Sequence, residues 1–259
     1  MFQNVGKKIR ELFVRISYVF GYIGRVVISS ILFRRREKAA FKILVMQLYF
    51  TFVQALPLTV IMSLGLSSAI YLFGYSFLLS IGQTSLIYKL LVVIVIRELG
   101  PLLVAFIVTA RSSTAIAIEI AGMVTSHQIE SYVSIGIDPI GHLVAPRFIA
   151  VTFSVFLLNL YFSLCGIIGP MVVSLILNPS NSYGYLNGIF LAVSIPTLLT
   201  SCIKSLLFGM VIAISSTYYG FNVERASTEI PVAGIFAVGK GFAGILLVDI
   251  FVIALSLLF

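Results

Sequence analysis

From about residue 44 onward the chain is made of long apolar runs, and nothing else constrains its fold as strongly. Five stretches, roughly 44–73, 87–120, 148–176, 189–215 and 233–257, are each long enough to cross a bilayer, which takes about 20 apolar residues in a helix. In hydrocarbon every backbone N–H and C=O must find its partner inside the chain, so these runs are expected to fold as helices. Charged residues make up only 10% of the sequence and the mean hydropathy is +1.13, where a soluble domain carries about 25% charged residues. The expected fold class is an all-α integral membrane protein. It has an N-terminal interfacial amphipathic helix, five transmembrane helices, a cytoplasmic N-terminus and a short cytoplasmic helix between spans 2 and 3.

The charge is confined to one end. Residues 1–42 hold ten of the 17 Lys/Arg and only two acidic residues, Glu11 and Glu37, while residues 43–259 are balanced. This divides the chain into a basic N-terminal segment, 1–42, and a five-span membrane domain, 43–259. The basic segment precedes a hydrophobic span directly, so it points to anionic headgroups and a cytoplasmic location rather than to nucleic acid. Within 8–32, Lys8, Arg15 and Arg25 interrupt an apolar helical spacing, which suits a helix lying in the interface. The "FRRREK" run (33–38) marks the same side. The expected external loops, 74–86 and 177–188, contain no Lys or Arg, whereas the internal loops, 121–147 and 216–232, contain Arg147 and Arg225. Cys165 and Cys202 lie in apolar stretches, so no disulfide framework is expected. No cleavable signal peptide is expected either, because no small-residue cleavage site follows the first apolar stretch.

The loop "TSHQIESYVSIGIDPIGHLVAPR" (125–147) is unusually ordered for a loop. Ser126 is placed to cap a short helix, with Glu130 near its positive end. Gln128 lies in the first turn, and Ile129, Tyr132 and Val133 share one apolar face. Gly136 suits the position just past the helix end. Asp138-Pro139 fits a second N-cap followed by a proline at the first helical position. Such a helix either docks an apolar knob into a soluble motor or lies on the headgroups. No phosphate-binding glycine loop, zinc-ligand spacing or nucleophile elbow occurs, and His127 and His142 lack partners at ligand spacing. Neither catalysis nor a metal site is expected of this chain.

The spans themselves carry charge. "VVIVIRELGPLLVAF" (92–106) places Arg97 and Glu98 inside the second span, beside a Gly100-Pro101 pair expected to kink it. Each charge costs roughly 2.5–3.5 kcal/mol at the centre of a bilayer on insertion scales. Lys204 and Asp249 stand in the fourth and fifth spans, with Lys204 expected nearer the inner half and Asp249 and Glu98 nearer the outer half. Lys204 is within reach of Glu98 or Asp249. Two readings stand side by side: a structural ion pair holding helices in register, and a polar lining that meets an amphipathic cargo. Arg111 and Glu119 fall toward the cytoplasmic end of the second span. Ser205, Gly209 and Ala213 in the fourth span, and Ala233, Ala237 and Gly241 in the fifth, form small-residue faces suited to close packing within the chain or between two copies.

"RELGPLLVAFIVTAR" with Glu119-Ile120, then "HQIESYVSIGIDPIGHLVAPRFIA", resembles the signature of MlaE-type permeases of lipid ABC transporters. "KSLLFGMVIA" (204–213) with "YYGF" (218–221) is similar to the same family's fourth-span motif. The resemblance implies a homodimeric permease that binds no cofactor itself. ATP would be bound by partner ABC ATPase subunits, and an MCE-domain lipid-binding protein would stand on the other side of the membrane. It implies phospholipid or a similar hydrophobic cargo, in a bacterial inner membrane or a plastid inner envelope. It also places Glu98, Lys204 and Asp249, with Arg97 as companion, near the lipid pathway, and makes 126–136 the helix that couples to the ATPase. Two departures stand out: Ser112-Ser113 replaces a glycine and small pair, and "FNVERASTEIPVAG" replaces a glycine-rich stretch. The residues leave open a proton-coupled secondary transporter using Glu98, Lys204 and Asp249, and a membrane scaffold that transports nothing.

Overall fold

The computed structural model describes residues 2–33, 38–177, 182–224 and 226–258, without the side chains of 2–9, 11–13, 15, 16, 38, 177, 182, 183, 257 and 258. The core of the "FRRREK" run, the turn at 178–181 and Arg225 lie outside the described residues, as do the side chains of Lys8 and Arg15. Among the described residues every regular element is helical. Five stretches are long and apolar enough to cross a membrane: Ala39–Ser80, Leu86–Thr125, Ile140–Ile176, Ile195–Phe221 and Glu229–Ser256.

Helix α1 (Phe2–Ile31) precedes the first span. Val26 is fully buried and the Tyr22 ring meets Tyr218 edge-on at 5.5 Å, while Arg25, Phe20 and Ile28 stay exposed. One face of α1 therefore seats on the bundle and the other faces outward. The first span is two helices, α2 (Lys38–Thr51) and α3 (Leu56–Ser80), joined by a 3-10 turn at Val53–Ala55. Pro57 explains the break: it sits in the first turn of α3, where a missing N–H costs nothing.

The second span begins with α4 (Leu86–Leu91), passes through a π-helical turn at Val92–Leu99, and continues as α5 (Gly100–Val108). A second π turn, Thr109–Ser113, leads into α6 (Thr114–Thr125). Helix α7 (Gln128–Ser134) is the short connector, and α8 (Ala145–Leu177) follows a third π turn at Ile140–Val144. The third span thus starts at Ile140, earlier than the sequence suggests. Helices α9 (Ser182–Ala192), α10 (Ile195–Phe221) and α11 (Glu229–Leu258) complete the chain.

Helix α9 corrects the sequence reading, in which 177–188 is an external loop and the fourth span begins at 189. Tyr185 is the reason. Its ring is almost fully buried against Tyr71 and Tyr88, with centroids 5.9 and 5.8 Å away, and its hydroxyl donates to the Ile167 carbonyl at 2.9 Å. Tertiary packing thus holds a helix where local composition favours a turn. The fourth span then starts at Ile195, after an extended Ser194 (φ −116°, ψ 150°) and with Pro196 in its first turn.

Helices α8 and α10 form the centre. Helix α8 packs on α2, α3 and α10, and α10 packs on α8, α11 and α6. Both small-residue faces are spent inside the chain: Ser205, Ala213 and Ala237 are buried, and Gly241 lies close to Thr109 and Ser215. A Cβ on Gly209 would stand 2.7 Å from the Thr152 Cα and 3.1 Å from its carbonyl oxygen. Backbone meets backbone there, so Gly209→Ala must push α8 and α10 apart. We predict a loss of about 1–3 kcal/mol, read as a lower melting temperature in detergent. Gly239→Ala on exposed α11, where a Cβ meets nothing within 4 Å, should be neutral or slightly stabilising.

Candidate functional site

Four charged side chains from three spans form one connected chain. Lys204, on α10, is fully buried, and its ammonium ion-pairs with Glu98 Oε2 and, at 2.8 Å, with Asp249 Oδ1 of α11. Glu98 Oε1 lies 3.2 Å from Arg97 Nε, and Arg97 Nη2 donates to Ser256 Oγ of α11 at 2.8 Å. The signs alternate, so the cluster is neutral. Sequence left the partner of Lys204 open; the ammonium takes both carboxylates. The three therefore share one depth, where the sequence reading set Lys204 apart from the two carboxylates; α10 starts six residues later than that reading has it. The outer edge of the cluster is not sealed: the Arg97 and Glu98 side chains keep 28% and 31% of their exposure. Arg97 and Glu98 thus leave a polar edge of the cluster open.

The backbone beside it is built around Pro101. In the π turn the Gly100 N–H reaches back five residues to the Val95 carbonyl. In that register the Ile96 carbonyl would receive its bond from residue 101, which is proline and has no N–H. The Ser201 hydroxyl of α10 supplies it instead, donating to Ile96 O at 2.8 Å, and Asn159 Nδ2 of α8 donates to Ser201 Oγ at 2.9 Å. The expected kink is thus a π turn, held by two side chains that sequence reasoning missed. A signal for Ser201 does exist. Thr197, Ser201, Lys204 and Ser205 recur at i, i+4, i+7, i+8 in an otherwise apolar helix, and all four are buried. Gly100 is fitted to this site, since a Cβ would stand 2.9 Å from Val95 O and 3.0 Å from Asn159 Oδ1.

At one end of the bundle α7 sits between α6 and α8. Its cap differs from expectation. Ser126 donates to the Gly122 carbonyl and so closes α6, while His127, at φ 57°, makes the left-handed turn into α7. The His127 ring pairs with Glu130 at 2.9 Å. Gly136, at φ 80°, ends the helix as expected. The Asp138 carboxylate accepts from the Ile140 and Gly141 N–H groups at 3.2 and 3.0 Å, so it caps the following turn. Ile129 and Tyr132 are half-buried, the Tyr132 ring standing 5.7 Å from His142, and Gln128 is exposed. Val133 and Ile135 are 60% and 69% exposed.

A five-span helical bundle with a neutral but partly open charge chain at apolar depth, and an apolar knob at one end, defines an integral membrane protein of the permease class. The family model described as permease MlaE matches residues 44–255, and the chain belongs to that family. Among curated relatives, a probable ABC transporter permease protein of Rickettsia typhi is 28% identical over 218 residues, covering 82% of this chain and 83% of the relative. The intermembrane phospholipid transport system permease protein MlaE of Haemophilus influenzae is 24% identical, covering 87% and 85%. A probable ABC transporter permease protein of Synechocystis is 31% identical over 54% of each chain.

Proposed function

We propose that this chain is the non-catalytic permease subunit of an ABC transporter that moves phospholipid between membranes. Membership of the permease family across residues 44–255 carries this reading, and a relative named for intermembrane phospholipid transport supplies the cargo. ATP is bound and hydrolysed by a separate ATPase that docks on α7, and an MCE-domain protein receives or delivers lipid on the opposite side. Two copies work together. The open edge of the charge chain lies beside α11, whose apolar window is only 11% buried, so a second copy there would enclose a path lined by Glu98, Lys204 and Asp249. The membrane is the inner membrane of a bacterium or plastid, with α1 and α7 on its cytoplasmic face. The test is reconstitution of the chain with its ATPase in liposomes, following labelled phospholipid under ATP or under a pH gradient. ATP-dependent movement is expected. Movement driven by the gradient alone, with no ATPase, would replace this reading with a proton-coupled transporter.

A further inference from the structure

Ser201 behaves unlike the other serine and threonine hydroxyls of α10. Thr197 bonds Ser194 beside it, and five others donate back to carbonyls of their own helix, the usual partner for such a side chain in a helix. The Ser201 hydroxyl crosses to the second span instead and serves Ile96 O at 2.8 Å. Asn159 of α8 holds it in that direction, because its Nδ2 donates to Ser201 Oγ at 2.9 Å and to the Ser201 carbonyl at 3.4 Å. Asn159, Ser201 and Ile96 are all buried, so water does not replace a lost partner. One turn further along α10 stands Lys204, bound to Glu98 and Asp249.

We propose that Asn159 and Ser201 are positioning residues for the charge chain: they fix the π register of the second span, and that register keeps Glu98 on Lys204. Spans 2 and 4 run the same way through the bundle, and α10 packs on the π turn. Ser201 and Lys204 are three residues apart on α10, and their partners Ile96 and Glu98 are two apart in the turn. The two contacts therefore lie about 3–5 Å apart along one interface by helical rise. A change of register at Ile96 cannot leave Glu98 where it is. Without the Ser201 hydroxyl, the Ile96 carbonyl has no donor in the π register, since Pro101 offers none. The ordinary helical register then gains, because there the Gly100 N–H goes to Ile96 O rather than to Val95 O. That shift of one residue turns the chain by about 100° about the helix axis, and it takes Glu98 off the face that Lys204 occupies. The positioning rests on this geometry alone; its part in lipid movement rests on the function proposed above.

Melting of the full-length chain in detergent tests it. Ser201→Ala should lower the melting temperature by roughly 3–8 °C, the effect of an unserved buried carbonyl. Pro101→Ala returns an N–H to the position that Ile96 O faces, so adding it to Ser201→Ala should recover most of the loss. With Glu98→Gln already in place, Ser201→Ala should cost clearly less, since no Glu98 is left to displace, whereas a purely local bond costs the same in both backgrounds. An equal cost in both, or no recovery with Pro101→Ala, would overturn the proposal. Should Ser201→Ala alone fail to fold, the pair with Pro101→Ala decides: its folding supports the proposal and its failure overturns it. ATP-driven lipid movement on the same variants separates positioning from transport. Movement that falls and recovers with the melting temperature ties Ser201 to the path. Unchanged movement beside the expected melts keeps the positioning role and removes the charge chain from the path instead.

Discussion

Lys204→Met is expected to cost about 3–5 kcal/mol of stability, the usual penalty for removing one partner from a buried charge cluster. The reasoning is electrostatic. Lys204 has no exposed surface and is shared by Glu98 and Asp249, which approach from different spans. Without the ammonium, two carboxylates face each other at apolar depth, and one must take up a proton or the helices must separate. A melt in detergent should show the loss directly. The neutral triple variant Lys204→Met with Glu98→Gln and Asp249→Asn removes the unpaired charge, and it should recover most of the stability. This variant also separates the two roles of the cluster. If the charges only hold spans 2, 4 and 5 in register, ATP-driven lipid movement recovers with stability. If they line the path, the triple variant folds and transports nothing. A Lys204→Met melt within about 1 kcal/mol of the native chain would remove the premise of both.

The charge chain also shows how far the sequence could be followed. Each member was visible because an ion in a bilayer span is costly enough to need a reason. The pairing was not visible, because it depends on the relative heights of three helices. One of those heights depends on α9, which local composition does not mark as a helix. Tyr185 anchors α9 through contacts with Tyr71 and Tyr88, residues more than 90 positions earlier, and no local pattern reports such a contact. Pro101 was legible as an irregularity, but its consequence, an Ile96 carbonyl served by Ser201, required the π register. The same holds for Ser126. As a residue type it fits an N-cap, yet it closes the preceding helix because His127 takes the left-handed turn. The five spans were legible throughout, because backbone desolvation enforces helices wherever apolar runs are long. Their ends were not, because ends are set by partners.

Val133→Asp combined with Ile135→Asp is expected to weaken association with the ATPase by about 2–4 kcal/mol, or roughly 30-fold to 1000-fold, if α7 is the docking knob. The geometry selects these two residues over Ile129 and Tyr132, which the sequence places on one face with Val133. Ile129 and Tyr132 are half-buried, and Tyr132 packs toward His142, so they seat α7 on its own bundle. Val133 and Ile135 are 60% and 69% exposed, and a charge there leaves the fold within about 0.5 kcal/mol of native, as surface substitutions do. Tyr132→Asp should therefore lower the melting temperature and the association together, whereas the double variant lowers the association alone. Retention of the ATPase on the purified permease, measured beside a melt of the same sample, distinguishes the two. The short helix would bring rigidity as well as exposure to that role. Gly136 stops it at a fixed point, and Asp138 caps the next turn through two N–H groups only a few residues later. If the ATPase docks there, a push on Val133 would reach α6, on which α7 packs, and through Asp138 the turn that leads into α8. Undiminished ATPase retention by the double variant would leave α7 as a helix that merely rests on headgroups, and the motor would have to engage the bundle elsewhere.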